Sequence, residues 1–197
     1  MLTRTLQPIA RLSLLFGLAI TVAACQSKET TPQTQASRIT SQPVTKATTF
    51  TLTGEGIEVI DNQTGELKAL LFDSDSEQVS SAVTAVIGEP ETNIPVQGQC
   101  PESTVWPTGF AIAIDKGKFV GWGLKDDDEA SRIKLLEGIS VGSTLAELKE
   151  HYGLTVRESS LETGFSTTDG FSGIADTGGP EGKITHLWSG NICIAEL

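Results

Sequence analysis

The chain has 197 residues with 25 acidic, 14 basic and two histidine side chains, and its formal net charge is −11 at pH 7. Five of the basic residues but only one acidic residue precede position 49, so the remainder carries nine basic and 24 acidic residues, a net charge of −15. A field of this sign repels nucleic acid and anionic lipid surfaces, so we expect neither to be a partner. About 150 residues after position 48 suffice for one compact domain or two small fused units.

The first 25 residues have the layout of a secretory signal. A positively charged start is followed by a mostly apolar run and then by two small residues. The apolar run is too short for a transmembrane helix, which needs about 20 such residues. We therefore predict a signal peptide over residues 1–24. The positive start contains Arg4 and Arg11, the apolar run covers residues 12–22, and the small residues are Ala23 and Ala24.

The run Val22-Ala23-Ala24-Cys25 resembles the lipobox of bacterial lipoproteins. The resemblance implies that Cys25 becomes a lipidated N-terminus in the cell envelope, facing the periplasm or the exterior. Two or more acyl chains hold a protein stably on a membrane, whereas a single chain binds marginally. Gln26 after the cysteine implies the outer membrane if the cell is Gram-negative. The alternative is an ordinary secretory signal in which Cys25 is incidental.

Residues 25–48 predict a disordered tether behind the lipidated cysteine. They are rich in Ser, Thr, Gln, Lys and Pro, and such a segment cannot bury enough apolar surface to offset the entropy of ordering. A flexible coil of about 23 residues spans roughly 25–30 Å root-mean-square. The tether would hold the acidic remainder of the chain away from the membrane.

Two later segments have apolar side chains at helical spacing between residues that begin and end helices. Ser74 with Glu77, and Thr144 with Glu147, fit the capping box at a helix start. A glycine follows each segment, as at left-handed helix ends. The apolar positions are Val79, Ala82, Val83 and Val86 in the first segment and Leu145, Leu148 and Tyr152 in the second, and the glycines are Gly88 and Gly153.

These segments belong to an internal repeat. Gly88 and Gly153 are 65 residues apart, and so are Lys118 and Lys183. We predict two tandem units, residues 49–126 and 127–197, each a helix followed by antiparallel strands. The predicted fold class is α+β, one compact domain with the helices packed on one face of the sheet. Predicted strands are 50–53, 57–60, 67–72, 110–115, 119–124, 154–158, 170–175, 184–188 and 192–195.

The run from Gly142 to Gly153, G-S-T-L-A-E-L-K-E-H-Y-G, resembles the opening of the BamE/SmpA-type lipoprotein domain. Two such units in tandem also resemble the fold of β-lactamase inhibitor protein, and the wider layout resembles uncharacterised secreted proteins and lipoproteins of bacteria. The resemblance covers most of residues 50–197 through short motifs. Because those relatives bind other proteins, it implies a protein-binding module and no enzyme, with an envelope protein as partner.

Two cysteines follow Cys25 in the sequence, Cys100 and Cys193. In a secreted domain such a pair predicts a disulfide. Two buried free thiols are an alternative. A metal pair is a weaker one, because no histidine or third cysteine lies at ligand spacing from either residue.

The sequence contains no G-x-S-x-G, H-E-x-x-H, P-loop or Rossmann motif, so we predict no catalytic residue, no metal ligand and no cofactor. His151 and His186 are expected to be structural. The acidic run 73–77 begins like a calcium-binding EF-hand loop but has Gln78 where glycine is needed. The acidic run 126–129 is predicted to be a solvated loop, with weak calcium binding as the alternative.

The three tryptophans are the remaining candidates for contacts. Trp122 and Trp188 occupy equivalent places in the repeat, which favours a core role for both. Trp106 lies outside that correspondence, so we predict that it makes a surface contact with a partner. The predicted function is a non-catalytic, lipid-anchored envelope protein that binds another protein. A small-ligand or ion-binding lipoprotein is the alternative, and an unrecognised hydrolase is a third.

Overall fold

The computed structural model describes residues 48–127, 129–159 and 162–193. The predicted signal peptide, Cys25 and all but the last residue of the predicted tether lie outside these residues, as does part of the predicted strand 192–195. The described residues all fall in one compact unit of the chain, Pro43–Leu197.

The described part of the chain contains twelve strands, two α-helices and one short 3-10 helix, Ala130–Arg132. In chain order the elements are β1 (Thr48–Thr53), β2 (Gly56–Asp61), β3 (Leu67–Leu71), α1 (Ser76–Ile87), β4 (Thr92–Ile94), β5 (Glu102–Val105), β6 (Phe110–Asp115), β7 (Lys118–Lys125), β8 (Lys134–Leu135), α2 (Leu145–His151), β9 (Leu154–Glu158), β10 (Thr163–Thr167), β11 (Phe171–Ala175) and β12 (Ile184–Gly190).

The strands form two sheets. A four-stranded sheet has the order β3-β2-β1-β8, in which β8 runs parallel to β1. An eight-stranded sheet has the order β4-β5-β6-β7-β12-β11-β10-β9, with every neighbouring pair antiparallel. Strand β7 pairs with β12 in the middle of this sheet, so β4–β7 form one side of it and β9–β12, from later in the chain, form the other.

The predicted α+β class, with helices packed on the sheet of two tandem units, is wrong. Strands make up 47% of the described residues and helices 15%, and β1–β3 form a separate sheet with β8. The sequence pattern missed strands such as β5, E-S-T-V, and β10, T-G-F-S-T, because they are short and lack apolar alternation. Their conformation depends on pairing with neighbouring strands, and propensity alone does not reveal such pairing.

A local correspondence between the two halves is present in the backbone hydrogen bonds. The N–H of Ser76 in α1 donates to the carbonyl of Gly117 at 3.0 Å, and the N–H of Leu145 in α2 donates to the carbonyl of Gly182 at 2.9 Å. Each helix start is thereby fixed beside the residues that lead into a central strand, β7 or β12. The acceptors Gly117 and Gly182 keep the 65-residue offset, whereas the donors Ser76 and Leu145 are 69 residues apart, because α1 is longer than α2.

The helix starts were predicted with mixed success. Thr144 and Glu147 form the predicted capping box, and the bonds to Thr144 hold the pKa of Glu147 below its usual value. The predicted capping box of Ser74 and Glu77 is wrong, because Asp75 and not Ser74 caps α1.

The longest helix in the described part of the chain is α1, with 12 residues. No helix there is both long and apolar enough to cross a membrane.

Trp106 is buried, so the predicted surface contact is wrong. Its side chain is 1% exposed, its indole N–H donates to the carbonyl of Gly88 at 2.9 Å, and its ring lies 5.8 Å from that of Phe110. The bond satisfies a carbonyl at the end of α1 and gives the buried indole N–H its partner. Trp122 is fully buried, as predicted, whereas Trp188 is only half-buried.

The predicted disulfide between Cys100 and Cys193 is confirmed. Cys100 lies just before β5 and Cys193 just after β12, and the two are 93 residues apart in the sequence. The bond therefore ties the end of the described chain to the first half of the eight-stranded sheet.

Candidate functional site

Hydrogen bonds from buried side chains join the two sheets at the turn between β1 and β2. The indole N–H of Trp122 in β7 donates to the carbonyl of Thr53 at 2.8 Å. The hydroxyl of Ser189 in β12 lies 2.7 Å from the carbonyl oxygen of Gly54 and 2.8 Å from that of Gly170, and can donate to either. Trp122 is 0% exposed and Ser189 2%, so the donor side chains are shielded from water, while the accepting turn is half-buried.

The turn that contains Gly54 packs closely on the turn between β10 and β11. A Cβ atom at position 54 would collide with the carbonyl oxygen of Asp169. Gly170 has φ of +89°, in the left-handed region that favours glycine. The two glycines therefore let the turns meet backbone to backbone.

A cleft of about 660 Å³ opens beside this contact, and we call it the acidic cleft. Four carboxylates lie around it, from three separate parts of the chain. It is also lined by the aromatic rings of Tyr152 and Phe171. The cleft is lined by Leu52, Thr53, Gly54, Glu55, Glu58, Leu71, Leu136, Glu137, His151, Tyr152, Thr168, Asp169, Gly170 and Phe171.

Two leucines of the acidic cleft are open to solvent. Leu71 at the end of β3 is 48% exposed, and Leu136 after β8 is 68% exposed. Single exposed apolar side chains are common on protein surfaces. Two at one cleft, next to aromatic rings, offer a partner apolar contact area surrounded by negative charge.

Tyr152 is a partly buried, titratable side chain of the cleft, and its pKa responds to the surrounding burial and charge. Its ring lies edge to face on Phe171, with centroids 4.9 Å apart and an interplanar angle of 85°. Burial raises the pKa of Tyr152, and the charges of Glu137 and Asp169 raise it further. A hydrogen bond with the backbone of Glu137 acts in the opposite direction and lowers it. The phenolate form of Tyr152 is therefore disfavoured, first by burial and then by the two nearby carboxylates.

The histidines do not form a catalytic pair with a nucleophile in the described contacts. His151 Nδ1 lies 3.9 Å from a carboxylate oxygen of Glu137, and both side chains are exposed. His186 Nδ1 lies 3.1 Å from the hydroxyl of Thr185, and burial, with the nearby charge of Lys125, lowers its pKa. No group of three metal-ligating side chains occurs within residues 48–127, 129–159 and 162–193.

The acidic runs noted in the sequence lie apart from the cleft. Asp75 caps α1, and its carboxylate accepts from the N–H groups of Glu77 and Gln78, at 3.1 and 3.2 Å. The run 126–129 follows β7, and one of its residues, Asp128, lies outside the described residues. The first run therefore serves the helix start, which suits negative charge.

A second surface lies at the edge of the eight-stranded sheet. Strand β9 ends that sheet, and no strand of the described part pairs with its other side. A groove of about 410 Å³ runs between β9, α2 and the turn at residues 178–180. We call β9 with this groove the edge groove; the groove is lined by Leu145, Ala146, Lys149, Glu150, Leu154, Val156, Gly178, Gly179 and Pro180.

The sequence did not reveal the acidic cleft, because its carboxylates are far apart along the chain. Glu55 and Asp169 are more than 100 residues apart, and each stands beside a glycine in a tight turn. Turns that contain an acidic residue beside a glycine were the available signal, but such residues mark turns in general and not a shared site.

Comparison of the chain with protein-family models, with curated proteins and with solved structures found no match.

Proposed function

We propose that the protein is a non-catalytic binding module that holds a basic segment of another protein in the acidic cleft. The observation that carries this proposal is the combination of four carboxylates with two exposed leucines around one cleft of about 660 Å³. Carboxylates select a basic partner, and the apolar side chains give it something to pack against. Nucleic acid is not a partner in this proposal, since its charge has the same sign as the cleft.

Charge and apolar contact have different roles in this binding. Complementary charge steers a partner into place and excludes partners of the wrong sign. Affinity at protein interfaces comes mainly from a few buried anchors. Leu136 and Leu71, with Tyr152, are the anchors that we assign. The resemblance of residues 142–153 to protein-binding lipoprotein domains agrees with this function.

A second candidate is the binding of a small organic cation in the same cleft. The specific observation is Tyr152, whose ring shares the cleft with Glu137 and Asp169. Aromatic rings and carboxylates together attract ammonium groups. The two candidates differ in their need for Leu136, because a small cation makes no use of an apolar anchor outside the carboxylates.

Calorimetry with a synthetic peptide of alternating lysine and leucine tests the proposal. We expect binding that weakens with added salt, because the carboxylates are partly exposed. Reversing two charges with Glu137→Lys and Asp169→Lys should weaken binding at least about tenfold, or ~1.4 kcal/mol. The matched control reverses Glu66 and Glu102, two exposed carboxylates outside the cleft, and should bind as the parent does.

The same titration has a spectroscopic readout, because Tyr152 is the only tyrosine in the chain. A basic peptide in the cleft should lower the pKa of Tyr152, seen as phenolate absorbance at lower pH. Equal binding by the reversed and control variants would contradict the proposal. Spermidine binding that survives Leu136→Ser, with no peptide binding, would favour the small-cation candidate instead.

We also propose that Cys25 carries the lipid anchor and that residues 25–48 tether the module in the cell envelope. Cells grown with labelled palmitate should label the parent chain and lose the label in Cys25→Ala, since no thiol remains at that position to acylate. Gln26→Ala is the control that keeps the cysteine and should keep the label. Labelling of the Cys25→Ala variant would show that the lipobox interpretation is wrong.

A further inference from the structure

The pairing of β9 with β10 shows which backbone groups of β9 point away from the sheet. The N–H of Thr168 donates to the carbonyl of Gly153, and the N–H of Ser159 donates to the carbonyl of Glu162, both at 3.0 Å. These bonds bracket one unbroken antiparallel register. Since hydrogen-bonded positions alternate along such a strand, the odd-numbered residues 153–159 bond to β10.

The even-numbered residues Leu154, Val156 and Glu158 therefore turn their N–H and carbonyl groups outward. Four of the five residues of β9 have exposed side chains, and Val156 is 37% exposed. Unpaired backbone groups on an exposed edge strand are a template for another extended polypeptide. An occupant that satisfies them must itself be a strand, which excludes lipids and small molecules at this edge.

We propose that the occupant is strand β9 of a second copy of this chain, running antiparallel about a two-fold axis at Val156. This proposal concerns the edge groove and goes beyond the function proposed for the acidic cleft. The pairing would extend the eight-stranded sheet continuously from one copy into the other, because β9 is its last strand.

The register follows from the outward groups and from charge. With Val156 opposite Val156, the outward groups of Leu154 in one copy face those of Glu158 in the other. Arg157 of one copy then lies opposite Thr155 of the other. A shift of two residues in either direction leaves only three of the five residues of β9 paired. In one direction it also places Arg157 opposite Arg157, and like charges directly opposite are destabilising. A shift of one residue leaves outward groups facing inward groups, so it makes no ladder.

The charges of the edge groove suit a second copy of an acidic chain. The strand carries Arg157 and Glu158, and the groove beside it is lined by Lys149 and Glu150. These four charges sum to zero, in a chain whose net charge is −11. Two acidic copies can approach here without local repulsion, whereas a basic partner gains no attraction here.

Sedimentation velocity of the purified chain, from micromolar to millimolar concentration, tests the proposal. We expect a monomer–dimer equilibrium. Val156→Lys places two ammonium groups opposite each other and should weaken dimerisation by about tenfold or more. The matched control is Leu67→Lys on β3, an exposed apolar residue (54%) of the other sheet, which should dimerise as the parent does.

Hydrogen exchange locates the interface without a mutation. Protection should rise with concentration at the amides of Leu154, Val156 and Glu158, and stay constant at Thr155 and Arg157, which already bond to β10. Val156→Pro removes one outward N–H and no bond to β10, so it should abolish dimerisation while circular dichroism shows an intact sheet. A monomer at every concentration, or a dimer that both Val156 variants retain, would overturn the proposal.

Discussion

Replacing both Cys100 and Cys193 with alanine lowers the free energy of unfolding by about 4–5 kcal/mol. The disulfide joins residues 93 positions apart, and a cross-link over so long a loop restricts the unfolded chain strongly. Total stabilities of domains are about 5–15 kcal/mol, so the double variant should be near its unfolding limit. Urea denaturation of the parent and the double variant measures the difference.

The control for this prediction is the parent chain in reducing agent, which opens the same loop without changing a side chain. It should unfold at the same urea concentration as the double variant. Cys25→Ala removes a cysteine outside the described domain and should keep the parent's stability. A loss below ~1 kcal/mol in the double variant would show that the loop contributes little to the unfolded-state entropy.

Trp122→Ala lowers the free energy of unfolding by about 3–5 kcal/mol. The side chain is fully buried, so its removal leaves a cavity between the two sheets, and it also deletes the bond to the carbonyl of Thr53. Trp122→Phe keeps an aromatic ring but removes the indole donor to that half-buried carbonyl, and should cost about 0.5–1.5 kcal/mol. Denaturant titrations of the three proteins separate the cavity from the hydrogen bond.

The phenylalanine variant also links this contact to the acidic cleft. Thr53 begins the turn that carries Glu55, so loosening its attachment to β7 should weaken peptide binding in the cleft. A folded Trp122→Phe variant with the parent's stability would show that the indole bond is not what joins the sheets. Trp188→Phe, at a half-buried site, is the matched aromatic control.

Strands with clear apolar alternation or tight turn signals were predicted closely. Strands β6 and β9 have the predicted bounds, and β7 extends its prediction by one residue at each end. The missed strands β4, β5, β8 and β10 are two to five residues long. Short strands gain their stability from partners elsewhere in the chain, so their own residues give a weak signal.

The helices show the same division between local and distant causes. The box of Thr144 and Glu147 was predictable because both partners lie within four residues. That α1 is attached to the start of β7 depends on Ser76 and Gly117, which the sequence separates by some 40 residues. The α+β assignment failed at this level, since it placed the helices as a layer on one face of a sheet built from two tandem units.

The sequence by itself determined the strong acidic charge, and it correctly predicted the pairing of Cys100 with Cys193 and the helix-start box at Thr144. The charge depends on composition, the disulfide on there being two cysteines after Cys25, and the capping box on residues within one helical turn. The tertiary structure alone decided the two-sheet order, the burial of Trp106 and the meeting of Glu55 with Asp169 at one cleft. These depend on contacts between residues far apart in the chain, whose free energy no local pattern records.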